Sequence, residues 1–288
     1  MHFTLITPSL NYGRFLGECL ASVAAQMDEN ELRAGRPHSP EIEHFVIDGG
    51  STDDSAAVAA RFPHATWLQE PDDGMSDAIN KGFDRAQGEW VMWLNADDRL
   101  KPGALAAMLP LLEKTDADIV YGDWDFVDEG GTFLRHVKSL PWSRFVHVHH
   151  HCFIGSTAAF HRKSTVLAAG HRLRTDFRYA MDGEFYARLD AAGLRFEHVP
   201  VTVADFRLHG GNLSQRHLGK TREMEQILAA EKQFIESRAI RRAHGITLFR
   251  DPYLHGLVDG ILWLAAKGWK GVRKVGFHRR GNRRMGSE

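Results

Sequence analysis

Two adjacent carboxylates close an apolar run in the first third of the chain. Asp97 and Asp98 follow V-M-W-L, Asn95 and Ala96. Neighbouring carboxylates repel each other unless a cation or hydrogen-bond donors compensate their charge. Mg²⁺ and Mn²⁺ suit such a position because they are held by few protein oxygens together with diphosphate oxygens. The alternative is that N-A-D-D forms a turn that leads into a helix after Pro102.

Another carboxylate, Asp48, ends the apolar run H-F-V-I and stands before a glycine pair. Glycines let the backbone approach a ligand closely, so this carboxylate could accept hydrogen bonds from a nucleobase or a ribose. The alternative is a strand-to-helix turn in which Asp53 or Asp54 caps the next helix. We predict ligand contact for Asp48 and capping for Asp54.

A third set of charges lies in the sequence E-P-D-D-G-M-S-D-A-I-N-K-G, which begins at Glu70. Asp77 and Lys81 are four residues apart on a helix that is predicted to begin just after a glycine turn. A phosphate could bind at the N-terminus of this helix, with Lys81 as a point charge. An exposed ion pair between the two side chains explains the same spacing, and it is the better interpretation of this segment alone.

The elements that must position these groups are strands that alternate with helices. Apolar runs predict strands at F-T-L-I-T-P-S, E-I-E-H-F-V-I-D, A-T-W-L-Q and E-W-V-M-W-L, with helices over 15–26, 54–61 and 75–86. This order predicts an α/β fold with a Rossmann-like, mostly parallel sheet flanked by helices. Because ligands bind beyond the carboxyl ends of such strands, we expect the polar groups to converge on one crevice.

Beyond residue 100 the pattern changes. We predict a helix over 103–113, a strand at A-D-I-V-Y-G-D-W-D-F-V and a helix over 182–192. From 217 onward apolar residues recur at helical spacing, which predicts a C-terminal helical extension that looks like an appendage. The histidine-rich segment H-V-H-H-H-C at 147–152 suggests zinc, but only alternate residues of an extended chain share a face. We therefore predict a strand there, with one histidine facing a substrate and no dedicated zinc site.

Composition is that of an ordinary globular protein, with 288 residues, 43% of them hydrophobic, and a formal net charge of -1. This net charge gives no indication of a partner, and we expect no nucleic-acid binding. Cys19 and Cys152 are too few for a disulfide framework and lack C-x-x-C spacing, which is typical of a reducing compartment. The N-terminal sequence lacks the features of a signal peptide, and no apolar run is long enough to span a membrane. We expect a cytoplasmic protein.

The C-terminal segment is basic. Eight Lys or Arg and no Asp or Glu lie between Lys267 and Arg284, and Trp263 and Trp269 are nearby on a predicted helix. This pattern suits the inner face of an anionic membrane, which the protein would contact peripherally. A solvated basic tail explains the same composition and is the simpler interpretation.

Six motifs occur in an order that resembles the family 2 glycosyltransferases of the GT-A fold. They are T-P-S-x-N, D-G-G-S-T-D, E-x-D-x-G-x-x-D-A-x-N-K-G, G-E-W-V-M-W-L-N-A-D-D, M-D-G-E-F-Y-A-R-L and F-R-L-H-G-G-N-x-S. The resemblance covers residues 2 to about 215. It implies a transferase domain over 1–215, with a nucleotide-binding half (1–100) and an acceptor half (101–215), followed by the extension over 216–288 with its basic tail.

The resemblance also implies an activity and a set of site residues. The activity is inverting transfer of a sugar from a nucleotide-diphosphate donor, most commonly a UDP-sugar, to a saccharide or lipid-linked acceptor, assisted by Mn²⁺ or Mg²⁺. Asp97 would bind the metal, because Asn95 replaces the first aspartate of the family's D-x-D motif, and Asp98 would contact the sugar or the metal. The implied donor-binding residues are Pro8, Ser9, Asn11, Asp48, Ser51, Asp77, Lys81, Asn95, Asp97, Asp98 and Arg207.

Two positions in the second half carry further expectations. Asp182 opens a helix, where an acidic side chain could simply serve as an N-cap. Inverting transfer, however, needs a general base for the acceptor hydroxyl, and the resemblance assigns that role to Asp182, with Glu184 as the substitute. His209 would complete the metal site or contact the diphosphate, and Arg207 would neutralise phosphate charge. A polar loop histidine is the alternative for His209.

Two other functions are compatible with parts of this pattern. A sugar-nucleotide pyrophosphorylase or other nucleotidyltransferase also combines an α/β domain with acidic metal ligands. It would be expected to have a glycine-rich, basic loop near the N-terminus, which T-P-S-L-N-Y-G-R-F does not provide. The second alternative is a non-catalytic nucleotide-sugar-binding protein. The presence of Asp182 together with Asp48 and Asp97 argues against it, because binding alone does not require Asp182.

Overall fold

The first strand of the computed structural model, β1 (Phe3–Ser9), is buried along its whole length. It pairs in parallel with β2 (Ile42–Asp48) on one side and β4 (Trp90–Trp93) on the other, and β2 pairs in parallel with β3 (Ala65–Gln69). A strand buried on both faces needs a helical layer on each face. The structure describes residues 2–27, 40–212, 224–245, 257 and 260–269, and for 224–231 the backbone alone.

Helices cover this parallel half on both sides. Helix α1 (Gly13–Ala24) and helix α2 (Ser55–Ala59) share one hydrophobic cluster, to which Leu16 and Val58 both belong. Helix α3 (Met75–Arg85) packs on the opposite face. Its Gly82 is required by close approach to β1, because a Cβ atom there would lie 2.6 Å from a methyl group of Ile6.

The second half of the sheet is mixed. Strand β8 (Ala159–Arg162) pairs antiparallel with both β4 and β6 (Ile119–Val127), and β6 runs parallel to β9 (Phe196–Arg207). Strands β5 (Arg99–Leu100) and β7 (Phe133–Val137) are antiparallel to β9 and β6. The predicted α/β fold is therefore confirmed, with parallel pairing among β1 to β4 and between β6 and β9 and antiparallel pairing at β5, β7 and β8. Short returning strands pair antiparallel because they need no crossover helix.

The described residues form a nine-stranded sheet in the order β3-β2-β1-β4-β8-β6-β9-β5, with β7 beside β6. The predicted helices are confirmed within one or two residues at each end. Short 3-10 or π segments cover 25–27, 156–158 and 163–167. The remaining helices are α4 (Ala104–Leu112), α5 (Arg144–His149), α6 (Met181–Ala191), α7 (Met224–His244) and a helix over 260–269.

Helix α7 belongs to the same packed body as the sheet. Its Ile240 is 7% exposed and lies in the large hydrophobic cluster with Phe185 and Tyr186 of α6. Arg144 of α5 donates a hydrogen bond to the carbonyl oxygen of His244 at 2.9 Å. The interpretation of the C-terminal part as an appendage is therefore wrong for α7, because its apolar side chain fills core space. The predicted boundary at 215–216 and the tail from 270 lie outside the described residues.

No helix within the described ranges is both long and apolar enough to cross a membrane.

Candidate active site

The acidic segment after β4 is a turn held by its own side chains. The backbone NH of Asp98 donates to the carbonyl oxygen of Asn95 at 3.0 Å, and Nδ2 of Asn95 donates to Oδ2 of Asp98 at 2.9 Å. The turn leads into strand β5, and helix α4 begins later, after Gly103. Asp97 and Asp98 consequently face different surroundings.

Asp97 faces a cavity and a loop that follows β9. Its Oδ2 accepts hydrogen bonds from Nε2 of His209 at 2.8 Å and from Nδ2 of Asn212 at 3.0 Å. The NH of Gly211 donates to Nδ1 of His209, so Nε2 is the ring nitrogen that faces Asp97. The structure thus brings Asp97 and His209 together as expected, and it adds Asn212, which stood in a quoted motif without an assigned role.

These groups fit a divalent cation that takes part of its ligand set from the substrate. Asp97 supplies a carboxylate, His209 an imidazole, and Oδ1 of Asn95 is buried with no hydrogen-bond partner among the described residues. No cluster of three or more His, Cys, Asp or Glu side chains with metal-binding geometry occurs in the described part of the chain. A cation here would complete its coordination with phosphate oxygens and water.

Asp98 faces the protein interior, contrary to the expectation of sugar or metal contact. It is 1% exposed, and its Oδ1 accepts a hydrogen bond from the backbone NH of Arg207 at 2.9 Å. Burial raises the pKa of Asp98 well above its usual value, and the charge of Asp97 adds to the rise. Asp98 therefore stabilises the turn that presents Asp97.

Arg207 lies beneath this turn and has no open side for a phosphate. The residue is 1% exposed, and its guanidinium donates to the carbonyl oxygens of Asp97 and Glu129, each at 2.8 Å, and to the Glu18 carboxylate at 2.7 Å. The expectation that Arg207 neutralises phosphate charge is thus corrected. A buried guanidinium needs partners for its donors, and each of the three nitrogens of Arg207 donates to a protein oxygen.

At the ends of β1 and β2, three of the predicted donor-binding residues bond to one another. The Asp48 carboxylate accepts hydrogen bonds from the NH groups of Gly50 and Ser51, at 3.1 and 2.8 Å, and from the Ser51 hydroxyl. Oγ of Ser51 accepts from the NH of Asn11 at 2.7 Å, and Oδ1 of Asn11 accepts from the NH of Thr52 at 2.8 Å. The network ties the two strand ends together. Nucleotide contact by Asp48, Asn11 and Ser51 stays a prediction.

The capping role predicted for Asp54 belongs to Asp53. The Asp54 side chain makes no capping hydrogen bond. The Asp53 carboxylate instead accepts hydrogen bonds from the NH of Ser55 at 3.0 Å and from the NH of Gly13 at 2.9 Å. Asp53 therefore serves the first turns of both α1 and α2, which a carboxylate can do because each oxygen accepts separately.

Asp77 and Lys81 form an ion pair at 2.9 Å across one turn of α3. Lys81 also donates to the carbonyl oxygen of Pro71, and Asp77 accepts from the NH of Asp73 at 3.2 Å. The hydrogen bond from Lys81 is the main reason that the pKa of Asp77 is lowered. The pair holds the loop after β3 against α3, and this loop lines the cavity described next.

A cavity of about 400 Å³ lies between the end of β1, the loop after β3 and the segment before α6. Ser9 is 4% exposed, and its Oγ has no hydrogen-bond partner within the described residues, as expected for a group that awaits a ligand. Sequence reasoning missed most of the remaining wall. Asp72 and Asp73 lie just beyond the end of β3. The rule that ligands bind beyond the carboxyl ends of parallel strands could therefore have found them. The wall also includes Pro8, Leu10, Tyr12, Gly74, Met75, Thr175, Phe177, Arg178, Tyr179 and Met181.

A smaller cavity of about 140 Å³ continues this cleft toward the acidic turn. Asn95, Asp97 and Asp182 all lie in its wall. Both cavities are bounded by Pro8, Tyr12, Met75, Arg178, Tyr179 and Met181. The cleft therefore runs from the ends of the parallel strands to the start of α6.

Asp182 stands at the first turn of α6 and is partly buried. Its Oδ1 accepts a hydrogen bond from the NH of Gly183 at 2.7 Å. Burial raises the pKa of Asp182, and the charge of Glu236 on α7 adds to the rise. A carboxylate with a raised pKa in a cleft is a stronger proton acceptor than a solvated one.

Glu184 does not share this position. It is 2% exposed and forms an ion pair with Arg188, whose Nε and Nη2 lie 2.9 and 3.1 Å from its carboxylate oxygens. Glu184 lies two residues beyond Asp182 on the helix and is absent from the walls of both cavities. The structure therefore does not support Glu184 as the substitute for Asp182.

The histidine run is helical at its start, contrary to the predicted strand. Ser143 begins α5 and its side chain accepts a hydrogen bond from the NH of Val146. His147 is buried, and its Nε2 lies 2.8 Å from the carbonyl oxygen of Gly183. Ser143, which caps the N-terminus of the helix, is the sequence signal that could have predicted it. The alternating histidines suggested a strand instead. His150 and His151 follow the helix and border another cavity beside α7.

Comparison with known proteins identifies the family. The family model described as glycosyl transferase family 2 matches residues 4–166. The PGL/p-HBAD biosynthesis glycosyltransferase of Mycobacterium tuberculosis is 29% identical over 218 residues, which is 73% of this chain and 78% of that protein. Glycosyltransferase GlyG of Streptococcus pneumoniae is 28% identical over 140 residues, 46% of this chain and 43% of that protein.

Solved structures share the fold. Staphylococcus aureus TarS 1-349 in complex with UDP-GlcNAc has a TM-score of 0.58 at 15% identity, covering 92% of this chain and 79% of that one. The mannosyltransferase PcManGT from Pyrobaculum calidifontis, in complex with GDP-Man and Mn²⁺, has a TM-score of 0.54 at 17% identity, covering 92% and 86%. The family model covers more than half of the residues, and the chain therefore belongs to glycosyl transferase family 2 and is a glycosyltransferase.

Proposed function

We propose that the chain transfers a sugar from a UDP-sugar to a hydroxyl group of an acceptor, with inversion at the anomeric carbon. One observation carries this proposal: Asp97 and Asp182 lie in the wall of the same 140 Å³ cavity. In this proposal Asp97 would hold a cation that binds the leaving diphosphate, and Asp182 is a carboxylate whose pKa is raised by burial. A single displacement needs both kinds of group around one anomeric carbon.

The donor would occupy the cleft from the 400 Å³ cavity to the acidic turn. The nucleotide would lie at the ends of β1 and β2, where Ser9 has a buried hydroxyl without a partner among the described residues. Tyr12 and Arg178 border both parts of the cleft and supply an aromatic face and a positive charge. A UDP-sugar is supported by the complex of TarS 1-349 with UDP-GlcNAc.

The proposed cation is Mn²⁺ or Mg²⁺, held by Asp97 with His209. When bound, it would act as a Lewis acid that stabilises the negative charge of the departing nucleotide diphosphate. The complex of PcManGT with GDP-Man and Mn²⁺ supports a divalent cation in this fold. Asp98 and Arg207 contribute indirectly, since both bond to the turn or the strand that positions Asp97.

Asp182 would act as the general base. The acceptor oxygen attacks the anomeric carbon, the bond from that carbon to the diphosphate oxygen breaks, and the bonding electrons leave with the nucleotide diphosphate. The proton of the acceptor hydroxyl passes to the Asp182 carboxylate as the new bond forms. Attack opposite the leaving group inverts the configuration, and no covalent intermediate on the protein is required.

The acceptor we propose is a saccharide or a lipid-linked saccharide, used in building a cell-envelope polysaccharide or glycolipid. The mycobacterial relative is named for PGL/p-HBAD biosynthesis, which supports a biosynthetic role. In this proposal residues 1–100 bind the nucleotide, 101–215 face the acceptor, and the protein works in the cytoplasm.

Peripheral membrane contact is part of the same proposal. On the helix over 260–269, Ile261 and Leu264 are exposed, and Leu257 is exposed as well. Ile261 and Leu264 lie on one helical face and the sequence continues into a basic segment, a combination that suits anionic lipid. We expect sedimentation with vesicles of phosphatidylglycerol and none with phosphatidylcholine. Equal recovery with both would contradict membrane contact.

The experiment that tests the activity is a panel of UDP-, GDP- and dTDP-sugars with Mn²⁺ or Mg²⁺. We expect a UDP-sugar to raise the melting temperature in the presence of the metal and to be hydrolysed slowly, which is measured as released UDP. A panel in which no nucleotide sugar changes the melting temperature or loses its nucleotide would overturn the proposed function.

A further inference from the structure

A third cavity, of about 330 Å³, also has Asp182 in its wall. Helices α5 and α7 and the start of α6 enclose it, and we call it the helical cavity. Its size is within the range of small-molecule sites, about 300–1,000 Å³. Its wall contains His147, Val148, His150, His151, Cys152, Tyr179, Ala180, Asp182, Gly183, Gln233, Ser237, Ile240 and Arg241.

Asp182 belongs to the walls of both the helical cavity and the cavity that contains Asp97. Tyr179 is also common to both. In a single displacement the acceptor hydroxyl meets the general base on the side opposite the leaving group. If the donor occupies the cleft beside Asp97, the helical cavity is the space from which an acceptor can reach Asp182.

The side chains of the helical cavity suit a polyhydroxylated ligand. Gln233 and Ser237, one turn apart on α7, offer an amide and a hydroxyl group, and Tyr179 offers an aromatic ring. Among the wall residues that the structure describes, Asp182 is the single acidic side chain and Arg241 is basic. Neutral donors and acceptors beside an aromatic ring are the groups that bind sugar hydroxyls and the apolar face of a sugar ring.

The wall of the helical cavity is well defined because α7 is hydrogen-bonded to the segment that precedes α6. The Glu236 carboxylate accepts hydrogen bonds from three consecutive NH groups, those of Arg178, Tyr179 and Ala180, at 2.9, 2.8 and 2.7 Å. These NH groups precede α6 and have no partner within that helix. On the neighbouring turn Ile240 is buried in the core. Gln233 and Ser237 are therefore held at a defined distance from Asp182.

We propose that the helical cavity binds the acceptor, specifically the monosaccharide unit whose hydroxyl group is glycosylated. This inference rests on the proposed function, because it assumes transfer with Asp182 as base. It assigns helix α7, from the part of the chain expected to be an extension, to the active site.

The test fills the cavity and compares the result with a matched change on the same helix. Ser237→Leu adds side-chain volume inside the cavity, whereas Ala239→Leu adds it at an exposed position of α7. Transfer is measured from the UDP-sugar selected by the donor panel to a panel of p-nitrophenyl hexosides. We expect Ser237→Leu to raise KM for the hexoside about tenfold or more, with wild-type affinity for UDP in a thermal-shift titration.

Gln233→Ala provides a second variant that removes a hydrogen-bonding group without adding volume, and we expect it to raise the same KM. Ala239→Leu should keep the wild-type KM. The inference is overturned by an unchanged KM in both cavity variants, and also by a wild-type protein that hydrolyses the donor but glycosylates none of the hexosides. If the wild-type protein neither binds nor hydrolyses a nucleotide sugar, the proposed function itself has failed.

Discussion

The proposed donor side and the proposed acceptor side of the cleft are built in different ways. On the donor side, chemical groups follow strands directly: Asp48 ends β2, and Asp97 lies a few residues beyond β4. On the acceptor side, Asp182 and the helical cavity depend on helices α5, α6 and α7, which are distant in sequence. A parallel sheet places groups at one edge by its topology, whereas packed helices need specific side-chain contacts to do the same.

The two sides also hold their carboxylates differently. The acidic turn is supported from below by Arg207, which bonds to the carbonyl oxygen of Asp97. Asp182 is instead positioned through backbone groups, because Glu236 caps the segment just before it. The comparison predicts that changes on the donor side alter donor and metal affinity, while changes on the acceptor side alter turnover with little effect on the donor.

The largest expected effect is on the acceptor side, at Asp182. Asp182→Asn removes the proton acceptor while keeping the side-chain shape, so transfer should fall about 10²–10⁴-fold, the usual contribution of a general base. Donor affinity should remain at the wild-type level, as measured by a thermal-shift titration with the UDP-sugar. Transfer at the wild-type rate would show that Asp182 is not the general base.

The next largest effect is expected on the donor side, at Asp97. Asp97→Ala removes a carboxylate ligand, so the metal-dependent part of donor affinity should fall by about tenfold to a hundredfold. The measurement is donor affinity with Mn²⁺ and with EDTA, for the variant and for wild-type protein. Glu89→Gln is the control, because Glu89 is an exposed partner of Arg162 far from the cleft. Equal donor affinity in all four conditions would contradict the metal assignment.

A smaller effect is expected at Glu236. The charge of Glu236 raises the pKa of Asp182, so Glu236→Gln should lower that pKa. Because the base acts when deprotonated, activity then persists to lower pH, and the acidic limb of the kcat profile should move downward. We also expect kcat to fall about threefold to tenfold as the segment before α6 loses a cap. An acidic limb at the wild-type pH would show that Glu236 has no electrostatic effect on the base.

The smallest effect concerns stability on the donor side. Asp53→Ala removes the acceptor for NH groups at the starts of α1 and α2, so the free energy of unfolding should drop by about 0.5–2 kcal/mol. Asp54→Ala, one residue later, removes no capping bond and should leave that free energy nearly unchanged. Urea denaturation of both variants checks the pair. A larger loss for Asp54→Ala would reverse the assignment of the cap.

The fold of the first half could be predicted closely from the sequence, because long apolar runs and helical periodicity are local signals. The second half was less accessible. Strand β5 spans two residues and β8 four, too few to show a pattern before their partners are known. At 147–152, alternating letters suggested a strand, while the Ser143 cap and contact with Gly183 favour a helix.

The candidate site was predictable in its residue types and less so in their roles. Asp97 and His209 are in contact as expected, since both belong to motifs with distinctive chemistry. Asp98 and Arg207 belong to the same motifs, yet burial gives them supporting roles. Sequence letters do not distinguish a carboxylate that faces a cavity from its neighbour that faces the interior, because that depends on the direction of the turn.

The sequence by itself determined the family, the parallel half of the sheet, and the chemical groups available at the strand ends. These follow from local periodicity and from the order of short motifs, which need no knowledge of distant contacts. The tertiary structure alone decided that Asp97, and not its neighbour Asp98, faces the cleft. It also decided that Asp97 and Asp182 border one cavity and that α7 closes a second cavity beside Asp182. Packing between elements far apart in sequence sets these arrangements, and only the folded chain brings such elements together.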